Sequence, residues 1–440
     1  MESIFLKNIT LDGKQVDILV EDGKIAKIRS FAGAQDDSSR AQDDSSRAQD
    51  DRRDAGMTVL DCTGKTAMPG FVNAHTHAAM SLLRGIGEDM VLQEWLDHIW
   101  RIEALLDRPF IHRATKVAAL EMIKTGTTSF NDMYWHSRMS MKATEEIGLR
   151  GLFSYTCLDN FDPEVTARQK EECAAMYEMV KDNLGRQRFA VSIHAVYTVS
   201  EPLILWAADF ARRHGLRIHI HLSETRKEVE DCKETHGGLS AVEYFDSLGL
   251  LGPDVIAAHS LWLSDKDVEI LGRRGVNCVH NINSNLKLAS GYKFLWKELK
   301  DAGANVCLGT DGAASSNNLD MLEAMKTAAF LQKAWRDDPS ALHLKDLLDM
   351  ATVNGGKALG LRTGKIEEGW DADIQIIDTD STFFLSPGPF LANYIYSAHS
   401  DCISSLIAGG RLVMKDRKVQ GEKEILSEGW KALETIKEQQ

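Results

Sequence analysis

Phe71-Val-Asn-Ala-His-Thr-His77 is the stretch on which the fold turns. It opens on apolar and small residues and closes on two histidines one residue apart. A strand buried on both faces reads as a near-continuous apolar run, as strands of parallel sheets do. Residues i and i+2 of a strand share a face, so His75 and His77 project together from its C-terminal end. The same pattern recurs at 127–134, 151–158, 189–196, 217–223, 255–260, 277–282 and 305–312. Helical candidates at 110–124, 171–183, 201–214, 239–248 and 265–274 lie between these runs. Eight strands with crossover helices over 67–362 predict an α/β fold, a (β/α)8 barrel of the TIM type. A doubly wound open sheet is the runner-up. No GxGxxG or GxxxxGK[ST] follows any of the runs, so the sequence offers no phosphate-cradling loop for a nucleotide.

Outward from the barrel, both ends look like short strands. Segments 3–9, 14–20 and 24–29 are separated by Asp12-Gly13 and Asp22-Gly23, and 372–378, 402–408 and 411–415 follow near the other end. We expect residues 1–66 and 363–440 to form a small β-sandwich domain built from both termini, with a helix at 424–438. Residues 34–54 read AQDDSSR-AQDDSSR-AQDDRRD, a polar repeat without a second apolar position, and are expected to be a disordered surface insert. It contributes seven Asp and four Arg.

Composition excludes partners. There are 65 acidic against 51 basic residues, a net charge of −14, so neither nucleic acid nor an anionic membrane is the expected partner. The seven cysteines are scattered without a CxxC pair, and the N-terminal residues lack a signal-peptide pattern, which predicts a cytoplasmic protein.

The remaining question is what 14 histidines are for. Read at the C-terminal ends of the strands, where a barrel places its chemistry, the residues are His75 and His77, Asp132, His194, His219 and His221, His259, His280 and Asp311. Neutral imidazoles suit a borderline divalent ion. His75, His77, His221 and Asp311 are the expected ligands of one ion per subunit. Zn²⁺ is the first choice, and Fe²⁺ and Mn²⁺ accept the same donors. His219 is expected to be a polar member of the barrel interior. Three His and one Asp leave a position open for water, which such an ion activates near neutral pH. Glu224, three residues beyond His221, is placed to shuttle a proton. His259 is placed to orient the water or polarise the intermediate. The fourth run, Phe189-Ala-Val-Ser-Ile-His-Ala-Val196, has no Lys to bridge two metals, which favours a single ion.

Five segments carry a family likeness: Pro69-Gly-Phe-Val-Asn-Ala-His-Thr-His-Ala78, Ile218-His-Ile-His-Leu-Ser-Glu-Thr225, Ala258-His-Ser260, His280-Asn-Ile-Asn-Ser-Asn-Leu-Lys-Leu288 and Leu308-Gly-Thr-Asp-Gly-Ala-Ala314. The chain resembles the amidohydrolase superfamily, and within it the 5′-methylthioadenosine/S-adenosylhomocysteine deaminase group. The resemblance implies a metal-dependent barrel beside a terminal β-sandwich, a homo-oligomer, and hydrolytic deamination of an adenine nucleoside. In that chemistry water attacks C6, Glu224 protonates the ring nitrogen, Asp311 takes the water proton and ammonia leaves. Glu103 is similar to the ribose-binding Glu of the group, and His194 matches a further substrate-contacting His. The chain departs from the pattern at Arg101, Val196, Ile282 and Trp262. Where some members present an Arg near the end of the third strand for a substrate carboxylate, this chain has Tyr155, with Arg168 as a loose substitute. That weighs toward 5′-methylthioadenosine, 5′-deoxyadenosine or adenosine over S-adenosylhomocysteine. A guanine, 8-oxoguanine or triazine hydrolase is the alternative on the same scaffold.

Overall fold

The computed structural model describes residues 3–30 and 56–437, so the repeat at 34–54 lies outside the described residues. Eight parallel strands form the central sheet: Phe71–Thr76, Thr127–Met133, Arg150–Cys157, Arg188–Ile193, Arg217–Leu222, Val255–His259, Asn277–His280 and Asn305–Leu308, each paired with the next in chain order. The expected barrel closes at the last seam through side-chain and backbone hydrogen bonds. Asn73 on the first strand accepts from the Thr310 amide (3.0 Å) and donates to Thr310 Oγ1 (2.6 Å), and the Asp311 amide donates to His75 O (3.0 Å). Gly309 is needed there, since a Cβ would lie 2.6 Å from Asn281 Oδ1 and 3.0 Å from the His75 amide.

Two boundaries differ from those expected, one of them through capping chemistry. The helix expected at 171–183 is Pro163–Val180: Asp162 accepts from the Glu164 amide at 2.8 Å with Pro at the first turn, a start signal that the apolar periodicity does not show. The run at 277–282 is a strand only to His280, after which Ile282–Lys287 turns helical. Leu92–Glu103 forms a strongly amphipathic helix outside the expected set, and it carries Glu103 at its last position.

The two termini build one continuous mixed sheet of eight strands. Ser3–Leu11 pairs antiparallel with Lys14–Glu21 and parallel with Met57–Asp61. Lys65–Pro69 joins the ends by pairing antiparallel with Ile374–Asp378. Side chains from all parts of this sheet, among them Ile4, Ile18, Leu60, Ile374 and Ile407, share one buried cluster. The sheet docks on the barrel through Arg150, whose guanidinium donates to Asp371 (2.7 Å) and to the fully buried Asp373. Among the described residues, no helix is long and apolar enough to cross a membrane.

Candidate metal and substrate site

The histidines at the strand ends converge because each ring is aimed by its second nitrogen. His77 Nδ1 donates to Met133 O (2.5 Å) and His221 Nδ1 to His194 O (2.8 Å). His75 Nδ1 lies 2.8 Å from His219 Nε2. With the protons on Nδ1, three bare Nε2 lone pairs face one space. His77 and His221 Nε2 are 3.3 Å apart, and Asp311 Oδ1 is 3.3 Å from Nε2 of both His75 and His77. Ligands about 2.0–2.2 Å from a tetrahedral ion are about 3.3–3.5 Å from one another. The donor set therefore fits a divalent cation, and without one these lone pairs would repel. Burial lowers the pKa of His75, His219 and His221, which keeps the rings neutral and able to ligate.

Asp311 sits at φ 65°, a left-handed conformation that a non-glycine residue enters at a cost. It is held there by its own carboxylate: Oδ1 accepts from the Gly312 amide (2.8 Å), and Oδ2 from Ser284 Oγ (2.6 Å) and Ser315 Oγ (3.0 Å). These three donated hydrogen bonds favour the ionised carboxylate over the protonated acid. His259 (φ 69°) and Ser223 (φ 51°) are similarly strained, so three of the strand ends around this space are in conformations kept only by their surroundings.

Glu224 is buried, its Oε2 3.5 Å from His259 Nε2. Burial, with Asp311 and Glu228 nearby, pushes its carboxyl well above the usual range, the direction for a proton donor. His259 also lies close enough to His75 and His221 to offer a third ligand atom. Its Nδ1 contacts Asn285 Nδ2 at 3.0 Å. An Asn N–H donating there would put the ring proton on Nε2, toward Glu224, and suit His259 to polarising rather than ligating.

Three residues support the site, and two of them, Glu228 and Asn285, were not singled out in the sequence. Glu228 accepts from the amides of Ser223 and Glu224 (2.7 Å each), pinning the turn that presents Glu224. Asn285 orients His259. Asp132 accepts from the Ala78 amide (2.7 Å) and so holds the chain just beyond His77. Only Asp132 left a signal, as a polar residue at a strand end. His219, expected as an interior residue, is the partner that orients His75. His280 is stacked on Phe294 (4.1 Å, 7°) and is absent from the lining of the site.

The space has two parts. An inner cavity of about 60 Å³ is lined by His77, His194, His221, Glu224, His259 and Asp311. An outer chamber of about 940 Å³ shares with it Trp100, Glu103, Tyr134, Trp135 and Thr156. Glu103 stands at this junction, 7% exposed, with Oε2 accepting from Trp135 Nε1 (3.4 Å) and Oε1 unpartnered. His194 Nδ1 meets Thr198 Oγ1 at 2.9 Å, and burial depresses its pKa to about 3. Tyr155 lines the outer chamber, with its hydroxyl donating to Glu172 (2.8 Å). Arg168 is not brought to either cavity: it is 61% exposed and lies 3.8 Å from Glu172 on its own helix.

With this geometry in view, comparison with known proteins is direct. The family model for amidohydrolases matches residues 66–413. The chain belongs to the amidohydrolase family. It is 44% identical over 375 residues to a 5′-deoxyadenosine deaminase of Methanoregula boonei, covering 84% of each chain. It is 42% identical over 381 residues to 5-methylthioadenosine/S-adenosylhomocysteine deaminase 1 of Archaeoglobus fulgidus, covering 86% of this chain and 89% of the relative. An adenosine deaminase from Xanthomonas campestris with bound zinc superposes with a TM-score of 0.85 at 29% identity, covering 99% of this chain and 98% of that one. This amidohydrolase thus shares its fold, over essentially its full length, with that zinc-bound adenosine deaminase.

Proposed function

We propose that this amidohydrolase is a metal-dependent deaminase of 5′-substituted adenosines, releasing ammonia and the inosine analogue. The observation that carries the reading is the junction at Glu103. The inner cavity holds the reacting groups, and past a buried, half-satisfied carboxylate it opens into a chamber far larger than a purine base needs. The base belongs in the inner cavity, the ribose hydroxyls at Glu103 Oε1, and the 5′ group in the chamber, whose wall includes the thioethers of Met139, Met176 and Met179. Relatives at 42–44% identity are named for such nucleosides.

His75, His77, His221 and Asp311 are the residues that would hold one divalent ion, Zn²⁺ before Fe²⁺ or Mn²⁺. When bound, it supplies Lewis-acid activation of water. Glu224, kept protonated by its surroundings, delivers a proton to the ring nitrogen as C6 is attacked. Asp311, kept ionised, accepts the proton that the water sheds. His259 directs Nε2–H at the developing charge, and His194 borders the base. Tyr155, tied to Glu172, leaves the C-terminal end of the third strand without a cation, which favours uncharged 5′ groups. Arg108 and Arg138, on the chamber wall, are the cations that a carboxylate would have to use. The seven cysteines, all unpaired and buried, support a reducing, cytoplasmic setting. Homo-oligomerisation is supported by the family resemblance.

The test is ammonia release from 5′-methylthioadenosine, 5′-deoxyadenosine, adenosine, S-adenosylhomocysteine, guanine and a triazine, with metal content measured on the same sample. Turnover of the nucleosides and not of guanine or the triazine is expected; the reverse would return the alternative. Glu224→Gln should retain the metal and lose about 10²–10⁴-fold in kcat. Near-native turnover in that variant would remove Glu224 from the proton transfer.

A further inference from the structure

The opposite end of the barrel carries a feature that the reaction does not use. The third, fourth and fifth strands each begin with arginine: Arg150, Arg188 and Arg217. Parallel pairing sets these strand starts side by side, with Leu152 opposite Arg188 and Arg217 opposite Ala190. The outer two are satisfied. Arg150 is neutralised by Asp371 and Asp373, and Arg217 donates to Pro253 O (2.9 Å) and Lys357 O (3.1 Å). Arg188, between them, is exposed, and its side chain makes no hydrogen bond or contact ion pair among the described residues. It is repelled by Arg150 and by Arg217, and Asp371, already bonded to Arg150, attracts it only at longer range.

Arg188 and Arg217 line a cavity of about 520 Å³, together with Arg212, whose guanidinium is spent on Asp254 (3.0 Å) and the carbonyls of Gly249 and Leu250. Phe189 and Leu216 supply apolar wall. The cavity thus gathers three guanidiniums against one carboxylate, in a protein whose net charge is −14. A free planar fork beside a second guanidinium is the arrangement that binds a tetrahedral oxyanion, and the apolar wall suits an organic body attached to it.

We propose that this cavity, at the N-terminal end of the barrel strands, binds a small organic phosphate ester, with Arg188 as its principal contact. The site is remote from the strand ends that carry the metal ligands, so its occupant is distinct from the substrate.

The experiment is calorimetric titration of the full-length, metal-loaded protein at constant ionic strength. The probes are phenyl phosphate, inorganic phosphate, benzoate and phenol, against wild type, Arg188→Ala and Arg188→Lys. Phenyl phosphate is expected to bind wild type more tightly than phosphate or benzoate, with phenol silent. Arg188→Ala should weaken it at least tenfold, and Arg188→Lys by less. Because the exposed Arg188 side chain has no hydrogen bond or contact ion pair to lose, melting temperature and deaminase turnover of both variants should equal wild type, which separates this result from any failure of the proposed reaction. Equal binding to wild type and Arg188→Ala, or no binding by wild type at millimolar phenyl phosphate, would overturn the proposal. Tighter binding of benzoate than of phenyl phosphate would overturn the ligand class.

Discussion

At the residue scale, the site depends on protons held on the correct side of each imidazole. His77 and His221 donate to backbone carbonyls, which the fold provides whatever side chains surround them. His75 relies on a side chain, His219, itself fully buried and in contact with Asn131. Replacing His219 removes the acceptor for His75 Nδ1–H and frees the ring to turn or change tautomer. His219→Phe should therefore weaken metal binding about 10–100-fold, the usual effect of losing such an orienting partner. Competition with a chelator, followed by metal analysis, measures it. His280→Phe is the control, since that ring only stacks, and it should hold metal as wild type does. Glu103 makes a second prediction. Glu103→Ala should raise KM for nucleosides at least tenfold while metal content stays unchanged; unchanged kinetics would mean that no ribose is bound there.

At the scale of elements, helices around the barrel are fitted by short signals and close approaches. Ser264 and Asp267 form a capping box at the start of Asp265–Arg274, and Asp267 also accepts from Ser240 Oγ, which caps the preceding helix. One buried carboxylate thus ties two helix starts together. The same helix crosses Trp296–Ala302 at Gly272, where a Cβ would sit 2.3 Å from Ala302 O. Alanine in a helix interior normally improves stability by up to about 1 kcal/mol over glycine. Here the sign should invert: Gly272→Ala is expected to lower stability by about 1–3 kcal/mol through overpacking, read as a fall in the urea midpoint. These elements were legible to different degrees. The helix at 265–274 shows its caps and its period together, and its expected and observed bounds coincide. Pro163–Val180 has a weak apolar stripe, so its start rests on Asp162-Pro163 alone.

For the whole molecule, the joint between the terminal sheet and the barrel is polar and buried. Asp373 accepts from Arg150, from Thr363 Oγ1 and from the Gly409 amide (2.7 Å), so barrel, connecting segment and sheet meet at one carboxylate. Removing the guanidinium leaves that carboxylate buried without its cation. Arg150→Met should cost about 3–5 kcal/mol in urea unfolding, with the metal site intact in the folded fraction.

The sequence by itself determined the barrel and the pairing of the termini, and it nominated residues for the candidate site. Each of these is a local or periodic property: period-two strands, Gly-centred turns, and His and Asp concentrated at strand ends, where burial without partners is costly. Only the tertiary structure decided which atoms face one another. Glu228 and Asn285 look like ordinary helix residues until the turn after the fifth strand and the helix after the seventh bring them beneath Glu224 and His259. Arg168 stays on the exposed face of its helix beside Glu172, while Tyr155 reaches the outer chamber with its hydroxyl held by Glu172. Ring orientation, proton placement and the pairing of charges depend on distances of a few ångströms between segments far apart in the chain. Local periodicity does not encode those distances, and only packing of the whole fold sets them.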